Sequence, residues 1–116
     1  MTEPNKNIIF ERVPVVVEDD YIIKLQPHIN EEGKHMMFIH CDVTSKWTKS
    51  VKEDLKFKFK KLAKKMKTPL YANCKVDDYE HQKFLKMFDF KPQSLVQNPQ
   101  SLDVLILYKH NAIGVH

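Results

Sequence analysis

Three polar side chains have the types and spacing needed to move protons. His40 and Asp42 are two residues apart in a segment of strand-like character, so both side chains point to the same side of that strand. His81 lies in a segment of helical character. A carboxylate at a strand end can accept a proton, and an imidazole can donate one near neutral pH. Asp42 is therefore the candidate base and His81 the candidate acid. The alternative is that Asp42 is an ordinary turn residue and His81 an ordinary polar surface residue.

Several kinds of site are excluded by what the sequence lacks. Its only glycines are Gly33 and Gly114, so neither the GxGxxG pattern nor the GxxxxGK[ST] phosphate loop is present. Cys41 and Cys74 form no CxxC pair and have no clustered histidines, so we expect two free thiols and no metal. No apolar run approaches the roughly 18 residues of a membrane span, and the polar segment 1–7 lacks the core of a secretory signal. We therefore expect an intracellular protein without a membrane partner.

The strands that would position these residues follow from hydrophobic periodicity. A turn over residues 30–33 joins two of the segments into an antiparallel hairpin. The first twelve residues are expected to be irregular or to form an edge segment. Alternating or continuously apolar character predicts strands over residues 13–17, 21–29, 35–43, 70–75, 91–97 and 102–108.

Two helices are predicted between these strands. The first covers residues 51–67, with Ser50 as N-cap and Glu53 completing a capping box. Its apolar residues lie within an arc of about 120° on a helical wheel, which is wide enough to pack on a sheet. The second helix follows Asp77 or Asp78, either of which can cap it.

The order of these elements predicts the fold. Its centre is strand, helix, strand, for which a parallel pair and a right-handed crossover are the default. The outer strands connect as hairpins. The sequence therefore predicts a single α+β domain over residues 1–116, with a mixed, mostly antiparallel sheet of about six strands, a central parallel pair and two helices on the faces of the sheet.

The positive charge of the chain is confined to one segment. Residues 46–67 contain ten lysines and two acidic residues, whereas the rest of the chain carries a net negative charge. Phe57 falls on the lysine-covered side of the predicted helix, where it is either buried beneath the amino-terminal segment or free to contact a partner. In the second case, an acidic protein or a nucleic acid is the expected partner. The candidate partner-binding residues are Phe57, Lys60, Lys61, Lys64 and Lys65.

The element order and two segments resemble a known family. Residues 78–90, DYEHQKFLKMFDF, are similar to the helix of the GNAT N-acetyltransferase superfamily that ends in an aromatic pair. Residues 40–43, HCDV, take the position of the central strand of that family, and the lysine-rich helix takes the position of its acetyl-CoA helix. The resemblance is to a shortened, degenerate form, and it is closest to GNAT-like proteins encoded by tailed phages.

The resemblance implies a cofactor and a set of site residues. Acetyl-CoA would bind beside the central strand and the start of the lysine-rich helix, with Asp42 and His81 as catalytic residues. The sequence departs from the family in two places. Residues 47–52, WTKSVK, lack the glycines of its phosphate-binding loop. Leu85 occupies the position of the tyrosine that protonates the departing thiolate in the family. The implied cofactor-binding residues are Cys41, Val43, Lys49, Ser50, Val51 and Lys52.

Two functional hypotheses follow. The first is a phage-type GNAT-like protein that is an acetyl-CoA-dependent N-acyltransferase or its inactive derivative. The second is a non-catalytic interaction module that binds an acidic protein or nucleic acid through helix 51–67. The helices that precede this region in the family have no counterpart in residues 1–12, so an uncovered sheet face favours a homodimer. The expected location is the cytoplasm, which for a phage-encoded chain means the host cytoplasm or the virion.

Overall fold

The computed structural model describes residues 7–98 and 101–110. These ranges contain seven strands and two helices. In chain order, they are β1 (Ile8–Ile9), β2 (Val13–Val17), β3 (Tyr21–Ile29), β4 (His35–Val43), α1 (Lys49–Lys65), β5 (Leu70–Lys75), α2 (Tyr79–Met87), β6 (Lys91–Gln97) and β7 (Val104–His110).

The strands form one mixed sheet in the order β1-β3-β4-β5-β7-β6, and β2 also pairs with β3. The β4–β5 pair is parallel, and the other pairs are antiparallel. The predicted α+β class, with its mostly antiparallel sheet and central parallel pair, is confirmed. Ile8 and Ile9 pair with the end of β3, so part of the amino-terminal segment is an edge strand.

The last strand begins two residues later than predicted. Residues 102–108 were expected to form it, but β7 covers Val104–His110. Leu102 has a φ of 62°, and its N–H donates to the carbonyl of Asn98. This left-handed conformation is incompatible with an extended strand, so Leu102 belongs to the turn. Pro99, which was expected in the same turn, lies outside the described residues.

The first helix has a different N-cap from the predicted one. Thr48 keeps an extended backbone, and its hydroxyl accepts a hydrogen bond from the Val51 N–H at 3.2 Å. The helix therefore begins at Lys49, and both Ser50 and Glu53 lie inside it. The prediction of Ser50 as cap was wrong because both hydroxyls can cap, and the one that remains extended is decided by how the chain leaves β4. The helix also ends at Lys65, two residues before the predicted end.

The second helix agrees with its prediction. Asp78 is the N-cap of α2, and its carboxylate accepts from the His81 N–H at 3.1 Å. Asp89, with a φ of 65°, reverses the chain after the helix. Phe90 then begins the return toward β6 and is itself buried. The short connection keeps α2 beside the strands on either side of it.

Both helices pack on the same face of the sheet, which corrects the expectation of helices on both faces. α1 and α2 share one hydrophobic core with the inward side chains of the strands. Within the described parts of the chain, no helix covers the opposite face. The buried side chains of this core include Tyr21, Ile23, Val51, Leu55, Phe59, Leu70, Ala72, Cys74, Leu85, Phe88 and Tyr108.

One buried hydrogen bond fixes α1 on the sheet. Tyr21 is fully buried, and its hydroxyl donates to Asp54 Oδ2 at 2.6 Å. Burial and the neighbouring Asp54 carboxylate raise the pKa of this phenol, so it remains a protonated donor. Glu18 adds a second tie, since its carboxylate lies 2.6 Å from Lys58 Nζ. Each contact joins the helix to the hairpin of β2 and β3.

The parallel pair is short. β4 and β5 pair only at Met37 with Leu70 and at Phe38 with Tyr71. Beyond these pairs, β4 continues beside β3 to Val43, and β5 continues beside β7. The two parallel strands therefore separate toward their carboxyl ends, forming a V whose vertex lies at Phe38 and Tyr71.

The cap assignment can be tested by substitution. Thr48→Ala removes the hydroxyl that accepts from Val51 N–H and should lower the free energy of unfolding by about 1 kcal/mol. Ser50→Ala removes a hydroxyl inside the helix and should change it by less than about 0.5 kcal/mol. Urea unfolding followed by circular dichroism gives both values. A larger loss for Ser50→Ala would contradict the assignment.

Candidate functional site

A cleft of about 690 Å³ opens where β4 and β5 separate. Its walls include residues 39–43 of β4, Ala72 and Asn73 of β5, and the inward side of α2. Cys41 belongs to the helix-covered face of the sheet, because it pairs with the buried Ile23, whereas Asp42 belongs to the opposite face. Since both line the cleft, the opening passes between the strands rather than lying on one face.

On the helix-covered side of the cleft, Glu80, His81 and Lys83 of α2 supply polar groups, and the rest of the wall is apolar. Leu55 and Phe59 of α1 and Leu85 of α2 line it, and all three are buried. Trp47, just before α1, packs against Phe84 of α2 with 5.7 Å between ring centroids and also lines the cleft. This side offers a dry surface for an apolar chain.

The side facing away from the helices is polar. Asp42 is exposed, and its carboxylate lies 3.3 Å from Lys24 Nζ of β3. His40 Nε2 donates to the side-chain carbonyl of Gln26 at 2.7 Å. The spacing of two residues thus puts His40 and Asp42 on one side of β4, as predicted.

His40 is held in its neutral form. Burial lowers the pKa of its imidazole to about 4, and the Arg12 guanidinium acts in the same direction. Because Nε2 donates its proton to Gln26, the neutral ring carries its lone pair on Nδ1. His40 can therefore accept a hydrogen bond at the cleft but carries no charge near neutral pH.

His81 reaches the cleft from α2. It lies in the first turn of that helix and is half-buried among the lining residues. Tyr79, two residues before His81 in the same turn, is 70% exposed and does not line the cleft. Leu85, at the position of the proton-donating tyrosine of the GNAT family, is buried in the wall of the cleft.

Both cysteines are free thiols. Burial, followed by the nearby Asp42 carboxylate, raises the pKa of Cys41 to about 11. Burial also raises the pKa of Cys74, which lies in the core. Neither thiol is activated as a nucleophile, since only the thiolate reacts readily.

The residues implied as cofactor-binding separate into two groups. Cys41 and Val43 line the cleft. The other four, Lys49, Ser50, Val51 and Lys52, form the first turn of α1, next to Trp47 but outside the cleft lining.

Within that first turn, Val51 is only 8% exposed and belongs to the core. No acidic residue lies there, because the helix begins earlier than predicted. Glu53 and Asp54 fall in the next turn, and Asp54 is bound to Tyr21.

Several site residues were missed by the sequence analysis. The cleft lining also includes Arg12, Asn73 and Trp47. Gln26 is hydrogen-bonded to His40, and Lys24 forms an ion pair with Asp42. The alternation of β3 against β4 could have indicated Lys24 and Gln26, since they share a face with His40 and Asp42 across the hairpin. Arg12 carries no such signal, because its place depends on the path of the chain before β2.

The lysine-covered side of α1 faces solvent. Phe57 is 58% exposed, so the alternative that the amino-terminal segment buries it was wrong. Lys61 Nζ lies 5.5 Å from the centroid of the Phe57 ring. Lys60, Lys64 and Lys65 are exposed on the same half of the helix. These five residues, predicted to bind a partner, therefore form one surface.

Comparison with known proteins identified no relative: no family model, no curated protein and no solved structure matches the chain. Among residues 7–98 and 101–110, no helix is long and apolar enough to cross a membrane. The same residues contain no group of three or more His, Cys, Asp or Glu side chains placed to hold a metal ion.

The protonation state of His40 can be measured directly. Its imidazole resonances should remain those of a neutral ring until the pH falls to about 4. Since the folded pKa lies below the unfolded value, stability should decrease as the pH falls through the unfolded value of about 6.5 toward 4. Arg12→Gln removes a neighbouring cation and should raise the pKa of His40. An NMR titration in which His40 has an unshifted pKa in the native protein would contradict this environment.

Proposed function

We propose that this chain is a GNAT-like domain that binds acetyl-CoA in the cleft between β4 and β5 and transfers the acyl group to an amine. The observation that carries the proposal is the separation of two parallel strands after only two paired residues. The strand edges inside the V form no ladder with each other, so their backbone groups are open to a ligand that lies extended between them.

The cleft suits the two ends of a thioester ligand differently. Its apolar side, with Leu55, Phe59 and Leu85, accommodates an uncharged chain. The start of α1 suits phosphate oxygens. Within the described chain, the N–H groups of Lys49 and Ser50 have no acceptor, and the positive end of the helix dipole lies there.

The missing glycines alter how that end of the ligand would be held. Trp47 and the Thr48 cap prevent the close approach of backbone that a glycine loop allows, because Val51 N–H already donates to Thr48. Lys49 and Lys52 instead offer side-chain cations in the first turn. Phosphate recognition would therefore rest on lysine charge as much as on backbone donors.

Bound in the cleft, acetyl-CoA supplies an activated acyl group. An amine nitrogen that attacks the acyl carbon must lose a proton, and Asp42, or a water molecule beside it, would take that proton. Lys24, 3.3 Å away, holds the Asp42 carboxylate in position. Backbone groups of residues 41–43 orient the acyl carbonyl.

Departure of the thiolate requires a proton donor, which would come from the α2 wall of the cleft, opposite β4. His81, at the start of α2, lines the cleft and takes this role in place of the tyrosine that Leu85 replaces. His40, being neutral, contributes a hydrogen-bond acceptor without repelling a cationic amine. The acid and the base thus lie on different elements, α2 and β4, with the cleft between them.

Ligand binding is the first test. Isothermal titration of the protein with acetyl-CoA should give heat and an equilibrium dissociation constant below about 1 mM, and the ligand should raise the melting temperature. Asn73→Trp places a large ring in the V and should weaken binding at least about tenfold, because it fills the space between the strands. No heat and no thermal shift at millimolar ligand would reject the proposal.

Ser94→Trp is the matched control for that variant. Ser94 and Asn73 both pair with Leu107, so they lie in the same row and on the same face of the sheet, but Ser94 is on β6 and outside the cleft. It should bind acetyl-CoA like the unmodified protein. Equal weakening by both tryptophans would show that the cleft is not the site.

Catalysis is tested separately from binding. Asp42→Asn should lower kcat/KM for acyl transfer to a primary amine by about 100-fold or more, with acetyl-CoA binding preserved. His81→Gln should lower kcat as well, because the departing thiolate loses its proton donor. Asp103→Asn, which removes an exposed carboxylate 4.0 Å from Lys75 Nζ and outside the cleft, is the control. Unchanged rates in the first two variants would assign the chemistry to other groups.

A further inference from the structure

The second half of α1 has a surface that the cleft does not use. Residues 55–65 contain six lysines and no acidic residue. The side of this half that faces away from the core is here named the α1 cationic surface; it consists of Phe57, Lys60, Lys61, Lys64 and Lys65. None of these residues lines the cleft.

The charge of this surface is not neutralised by the protein. Lys58, on the flank of the helix, is paired with Glu18. By contrast, none of the four lysines of the α1 cationic surface forms an ion pair with any described residue. Four like charges within about two turns repel one another, and a polyanion would relieve that repulsion.

Phe57 gives the surface a second property. Its ring is 58% exposed in the middle of the lysines, and the Lys61 ammonium lies 5.5 Å from the ring centroid. A polar residue would serve a merely solvated helix better, since an exposed aromatic ring leaves apolar area in contact with water. A flat ring bordered by cations is the arrangement on which proteins stack nucleic acid bases.

We propose that the α1 cationic surface binds single-stranded nucleic acid without sequence preference. The lysines contact successive phosphates as point charges, and Phe57 stacks on a base between them. From Phe57 to Lys65 the helix rises about 12 Å, and its four lysines, each contacting one phosphate, neutralise about three or four phosphates. A single strand fits better than a duplex, in which the bases are already stacked on each other and cannot reach the ring.

Fluorescence anisotropy of a labelled oligothymidylate of about twenty nucleotides tests the proposal with the full chain. The affinity should fall about 20- to 50-fold between roughly 50 and 200 mM salt, as three or four neutralised phosphates require. Phe57→Ala should weaken binding about tenfold, and Phe57→Trp should preserve it. A duplex of the same length should bind more weakly than the single strand.

Matched charge variants identify the surface. Lys60→Gln with Lys64→Gln should weaken binding and reduce the salt dependence, whereas Lys86→Gln with Lys91→Gln, two exposed lysines elsewhere, should change the affinity less than twofold. Equal loss in both pairs, or no loss with Phe57→Ala, would overturn the proposal. Preferential binding of polyglutamate over the oligonucleotide would overturn it in favour of an acidic protein partner.

Discussion

The structure depends on the parallel pairing of β4 with β5 and on its early end. Parallel strands require a crossover, and α1 provides it, so the helix lies across the cleft that the same strands open. Each strand keeps its other neighbour: β4 remains paired with β3, and β5 with β7. The separation therefore costs few backbone hydrogen bonds, because each strand is unpaired along only one edge. At the vertex, Phe38 and Tyr71 are buried, with 5.9 Å between their ring centroids, and hold the strands together on the face opposite α1 and α2.

The helix α1 serves three purposes through differently directed side chains. Leu55 and Phe59 complete the core and form the apolar side of the cleft. Asp54 and Lys58 tie the helix to the hairpin of β2 and β3 through Tyr21 and Glu18. These ties matter because the helix carries a high density of positive charge, which opposes folding, whereas hydrogen bonds and apolar burial favour it. The lysines of the α1 cationic surface lie on the remaining side of the helix and face solvent.

Much of the fold could be predicted from the sequence, since strand and helix periodicity are local properties. Five of the six predicted strands have the predicted bounds, and Asp78 caps α2. The errors arose where two local solutions compete. Thr48 and Ser50 both have a hydroxyl suited to a cap. Leu102 has the apolar side chain of a strand residue, but its left-handed backbone places it in the turn before β7. In the site, the shared face of His40 and Asp42 follows from alternation, whereas Arg12 and Asn73 depend on distant parts of the chain meeting at the V.

By itself, the sequence determined the element types, the crossover and the concentration of lysines on one helix, because each depends on residues within a few turns or strand steps of one another. Tertiary structure alone decided that both helices share one face, that the parallel strands separate after two pairs, and that His81 reaches the cleft while Phe57 stays exposed. These features depend on how twisted strands and helices pack over long sequence separations. Side-chain periodicity specifies which face an element buries, but it does not specify how far two buried elements diverge.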